Sequence, residues 1–116
     1  MSEYFISDGE KAQKLFDALK SDKTLVELNN GMKSNQRYRT EFRLEGSTHK
    51  GLISSSTGSE LKFDADKSAF GSKLMNIHIT TNDPKMEQIL RNVIPGLTSL
   101  AEQARIDAKQ RPLAQK

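Results

Sequence analysis

Few residues in this chain of 116 amino acids have the type and spacing to do chemistry. It has two histidines, His49 and His78, and no cysteine, which excludes thiolate nucleophiles, thiolate metal sites and disulfide bridges. His49 follows a turn, and His78 falls on an outward position of a strand-like run. As an acid–base pair they would need a sheet register that brings the two strands' histidines to one face, and nothing in the sequence fixes that register. Solvated strand histidines are the simpler reading. Serines are plentiful, but none sits in a G-x-S-x-G elbow, and no Walker loop or G-x-G-x-x-G is present. His-x-x-x-His and H-E-x-x-H spacings do not occur. Asp64-Ala65-Asp66 near Glu60 is a carboxylate group without the loop of an EF-hand. No catalytic residue, metal or cofactor is expected.

The arginines are the stronger feature. Arg37, Arg39 and Arg43 share one side of a strand-like run, spaced about 7 Å and then about 13 Å along it. That pitch suits a series of phosphates or carboxylates, each gripped by a guanidinium fork. The plainer reading is a charged face that keeps an exposed strand soluble and unpaired. Tyr38 should point inward, so no ring is interleaved with the arginines as a stacking platform for single strands would require. Net charge is +3, and it concentrates in two places. One is residues 31–50, with Lys33, Arg37, Arg39, Arg43 and Lys50 against Glu41 and Glu45; the other is residues 101–116, with Arg105, Lys109, Arg111 and Lys116 against Glu102 and Asp107.

These charges need elements to hold them. Ser7 and Glu10 form a capping-box pattern, and Ala12, Leu15, Phe16 and Leu19 follow at helical spacing, predicting a helix over 7–20. Residues 24–28 read as a second short helix or as a strand, with the helix preferred because Asp22 can cap it. Four strands are then expected. Tyr38, Thr40, Phe42 and Leu44 alternate with Arg37, Arg39, Glu41 and Arg43, which makes Phe42 a core residue. A second strand covers 49–55. A third alternates Leu61, Phe63 and Ala65 with Glu60, Lys62 and Asp64, and a fourth places Met75, Ile77 and Ile79 on one side and His78 on the other. Short turns between them favour an antiparallel meander. From Asp83, an apolar stripe runs from Met86 to Ala104 in one phase, predicting a long C-terminal helix kinked or broken at Pro95-Gly96.

The fold class is therefore α+β: an N-terminal helix, a four-stranded meander and a long C-terminal helix packed on one sheet face. Residues 1–111 form a single domain, and 112–116 form a short, basic, disordered tail. The open face carries Arg37, Arg39, Arg43, Lys62 and His78, mixed with Glu41, Glu60 and Asp64. No family motif stands in the sequence. The order helix, antiparallel sheet, helix with a basic open face is similar to that of some small RNA-binding proteins, such as the Alu-binding subunits of signal recognition particles, a likeness of topology from which function does not follow.

Apolar residues are 34% of the chain, and no run of about 18 of them exists, so a membrane span is not expected. The N-terminus has no basic and apolar leader segments, so the cytoplasm is the expected compartment. The favoured reading is a non-enzymatic adaptor, inhibitor or assembly factor that binds a protein partner through the open sheet face or the C-terminal helix, with a homodimer through that helix among the options. The alternative is nucleic-acid binding through the arginine strand, Lys50 and the basic C-terminus with Arg105, Lys109 and Arg111.

Overall fold

The computed structural model describes residues 1–68, 71 and 73–110. Among them the chain forms an α+β domain in the order β1 (Ser2–Ile6), α1 (Gly9–Lys20), α2 (Asp22–Asn29), a 3₁₀ turn (Ser34–Gln36), β2 (Arg39–Glu45), β3 (Thr48–Ser54), β4 (Glu60–Lys67), β5 (Leu74–Thr81), α3 (Pro84–Val93) and α4 (Leu100–Gln110). The described strands form one antiparallel sheet in the order β1-β5-β4-β3-β2. The expected meander is present. It is joined by a fifth strand, β1, which runs back along β5 and makes the opposite edge.

One face of the sheet carries the core. Tyr4, Ile77, Ile79, Leu61, Phe63, Ala65 and Ile53 are buried there beneath Leu15, Phe16 and Leu19 of α1 and Met86 and Leu90 of α3. Helix α1 starts two residues later than the expected capping box: Asp8, not Ser7, accepts the backbone N–H groups of Glu10 and Lys11. Residues 24–28 are helical, as preferred, with Ser21 rather than Asp22 as the cap.

Three expectations need correction. Met75 is 47% exposed while its neighbour Leu74 is buried. The β4–β5 register shifts here, from Asp66↔Asn76 to Lys67↔Leu74, and the extra residue inverts the alternation. The C-terminal stripe takes the broken alternative, but its halves do not share one surface: α3 ends at Val93, Ile94 is extended, and Gly96 has a positive φ of 83°. Helix α4 starts afresh from a reciprocal capping box in which Ser99 N–H donates to Glu102 Oε1 and Glu102 N–H donates to Ser99 Oγ. It packs along β1, and Leu100, Ala101, Ala104 and Ile106 are left exposed instead of joining the core. Third, Phe42 is 37% exposed and Leu44 is 54% exposed. Both project to the core side of β2, but α1 packs mainly against β5 and β1, and its last turn only reaches Phe42 through Lys20. Arg111 and the expected tail 112–116 lie outside the described residues.

Candidate functional site on the open sheet face

Among the described residues, no helix covers the face of the sheet away from α1 and α3. Strand register builds it in cross-strand rows: Arg43, Lys50, Asp64, His78 and Phe5 in one row, and Glu41, Leu52, Lys62, Thr80 and Glu3 in the next. The surface is an open trough of about 850 Å³, with Arg43, Lys50, Leu52, Lys62, Asp64 and His78 among its lining residues. Alternation along each strand is what sends these side chains outward while Phe63 and Ile79 go to the core.

The structure brings Arg39, Arg43, Lys62 and His78 to this one face, as expected, and adds Lys50 to it. It does not bring Arg37. That residue follows the 3₁₀ turn, two residues before β2 begins, and its neighbours in a separate groove are Leu25, Val26, Asn29 and Met32. The expected three-arginine ladder is therefore two arginines, Arg39 and Arg43. Arg105 and Lys109 are exposed on α4, a different element.

Sequence alone did not show how these cations are partnered. Arg43 Nε lies 2.8 Å from Glu45 Oε2, Lys50 Nζ lies 3.4 Å from Asp64 Oδ1, and Lys62 Nζ lies 3.9 Å from Glu60 Oε1. His78 Nε2 lies 2.5 Å from Glu3 Oε2 of the added strand. Arg39 is the exception among the described residues, with no carboxylate in reach. Counting by strand parity, Arg39, Arg43, Lys50 and Lys62 share the face with Glu3, Glu41, Glu45, Glu60, Asp64 and Asp66. The face is a mosaic with more carboxylates than fixed cations. Asp66 is engaged as well, accepting from Thr48 Oγ1 at 2.7 Å. Exposed pairs of this kind add little stability, but each one occupies a cation that would otherwise be open to a phosphate.

The two histidines do not meet. His49 pairs with Leu44 and Ala65 on the core side, its ring 4.9 Å from that of Phe16, whereas His78 is on the open face. Burial lowers the His49 pKa from the ordinary value, and Lys67 and Lys20 lower it further. Among the described residues, no group of three or more His, Asp or Glu side chains is placed to hold a metal ion. No described helix is long and apolar enough to cross a membrane.

No protein-family model, curated protein or solved structure matches this chain.

Proposed function

We propose that this protein is a small, non-catalytic protein-interaction module whose open sheet face receives a protein segment of mixed charge. The observation that carries the reading is the charge mosaic itself. Carboxylates outnumber the lysines and arginines on the face, and Arg43, Lys50 and Lys62 each already have a carboxylate partner. A nucleic-acid backbone presents a row of like charges and selects unpaired cations. A protein segment can meet alternating charges with alternating charges and exchange existing pairs for new ones. Leu52 and Phe5 add apolar contact within the same surface.

The test is site-specific photo-crosslinking in the producing cell, with the reactive group at Leu52 on the face or at the exposed Asn92 on α3. Discrete protein adducts from position 52 and none from position 92 support the reading. Adducts to RNA or DNA overturn it, as does retention on nucleic acid that falls steeply with salt and is lost in Arg39→Glu.

A further inference from the structure

We propose that the free edge of β2 pairs with β2 of a second copy, antiparallel and centred on Phe42, to make a continuous sheet through a two-fold dimer. This goes beyond the function proposed above: it concerns the edge of the sheet rather than its open face, and its occupant is this chain itself.

Strand β2 is an edge strand with β3 on one side and, among the described residues, no strand on the other. Its backbone presents a regular ladder to that side. Lys67 N–H donates to Ser47 O at 3.0 Å, so β3 turns the peptide groups of Ser47, His49, Gly51 and Ile53 toward β4. Thr48, Lys50, Leu52 and Ser54 then face β2 and engage Glu45, Arg43, Glu41 and Arg39. The peptide groups of Thr40, Phe42 and Leu44 are left pointing out from the edge. Seven residues of edge strand with exposed Phe42 and Leu44 form a surface of the kind that invites another strand.

The side chains specify which strand. Along Arg39-Thr40-Glu41-Phe42-Arg43-Leu44-Glu45, the charges are complementary to their own antiparallel copy. With the two-fold axis at Phe42, Arg39 faces Glu45 of the second copy and Glu41 faces Arg43 of the second copy. Each pair occurs twice. Among the described residues neither Arg39 nor Glu41 has an ion-pair partner in the monomer, and both gain one here. On the core side Phe42 meets Phe42 of the second copy, and Leu44 meets Thr40. The outward-facing peptide groups also match, because residues 40, 42 and 44 lie opposite 44, 42 and 40. Moving the axis by one residue to Glu41 sets Glu41 against Glu41 and Arg39 against Arg43. Moving it by two residues to Leu44 or Thr40 shortens the strand overlap. Strand length, hydrogen-bond parity and charge therefore agree on one register and on an isologous partner.

The experiment is sedimentation equilibrium of the full chain over a wide concentration range, with circular dichroism confirming that each variant is folded. The wild type is expected to be a concentration-dependent dimer, because a single strand pair is a small interface. Glu41→Arg and Arg43→Glu each set like charges face to face twice and should each weaken self-association by about tenfold or more. An equimolar mixture of these two variants restores opposite charges at both positions, so it should form a heterodimer. The double variant Glu41→Arg/Arg43→Glu should dimerise again on its own. Phe42→Pro, which removes the central edge N–H, should be a folded monomer. A wild-type chain that stays monomeric at every concentration overturns the proposal and leaves the edge to a foreign strand. A dimer that neither single reversal weakens, or a mixture that does not recover association, overturns it too.

Discussion

Tyr38 donates its phenolic O–H to the buried carboxylate of Asp83, the residue that caps helix α3. The other oxygen of that carboxylate accepts the Lys85 backbone N–H at 2.9 Å. Tyr38 is itself held from behind: its backbone N–H donates to Asn29 Oδ1 at 2.7 Å, at the end of α2. One residue, through its backbone and its side chain, thus ties the entry to β2, the end of α2 and the start of α3 together, and the position of the β2 edge depends on that junction.

Removing either partner should show this coupling. Tyr38→Phe leaves one buried carboxylate oxygen of Asp83 without a donor, which costs about 1–3 kcal/mol. Asp83→Ala removes the helix cap together with the acceptor and should cost a similar amount. The double variant should lose clearly less than the sum of the two, since each single change already breaks the shared bond. Urea unfolding of the four proteins measures this, and strict additivity would show that the bond contributes nothing of its own.

The two tyrosines predict an alkaline limit to stability. Burial is the main cause that raises both pKa values, with the hydrogen bonds to Glu87 for Tyr4 and to Asp83 for Tyr38 acting in the same direction. A raised folded-state pKa means that the folded chain keeps protons the unfolded chain would release. The associated stability is complete below the ordinary tyrosine value near 10 and is lost as pH rises beyond it. Tyrosinate absorbance should therefore stay flat through the ordinary range and appear together with loss of the circular dichroism signal. A tyrosine that ionises near its ordinary pKa while the chain remains folded would contradict the buried assignments.

The sheet's faces were largely legible in the sequence, while its coverage and partnering were not. The strict alternation of residues 60–66 marks Leu61, Phe63 and Ala65 as inward with no other information. Strand β1 was hidden because Tyr4, Phe5 and Ile6 are all apolar, and only the fold sends Phe5 outward. Alternation misplaces Met75 because a bulge leaves no mark in an apolar alternation. The stripe from Met86 to Ala104 looked continuous because a helical wheel passes through residues 94–99 as if they were helical. Alternation gives Phe42 the correct side but the wrong environment, since period two names a face and not whether a helix covers it. The site had the same limit. Parity places Arg39, Arg43, Lys62 and His78 on one face, but the position of Lys50 and the pairing of His78 with Glu3, 75 residues away, depend on a register that local pattern does not contain.

The aromatic cluster under β2 gives a graded test of that coverage. The Phe63 ring meets Phe16 edge-on at 5.7 Å and lies across Gly51, where an added Cβ would come within 2.1 Å of it. Gly51→Ala should cost about 1–3 kcal/mol by overpacking, and Phe63→Ala about 3–5 kcal/mol. Phe42→Ala should cost less than either extreme of the Phe63 range, because its ring is only partly buried against Phe63 and Lys20. Measurements at low protein concentration keep self-association out of the comparison. If Phe42→Ala proves as damaging as Phe63→Ala, a helix must cover β2 after all.

His49 sets an acid limit through a different balance of causes. Its pKa is lowered first by burial and then by Lys67 and Lys20. A depressed folded-state value means that the unfolded chain takes up the proton more readily. The stability is present above the ordinary histidine value of 6.5 and is lost as pH falls through the folded-state value. The ring-proton resonances of His49, assigned by comparison with His78→Gln, should titrate below the ordinary value. Because burial is the largest single cause, replacing both Lys20 and Lys67 by Gln should restore only part of the shift. Full restoration would mean that the ring is solvated and its depression purely electrostatic, which would detach His49 from the Phe16 face on which it packs. A wild-type midpoint at or above the ordinary value would place the ring outside the core side of the sheet altogether.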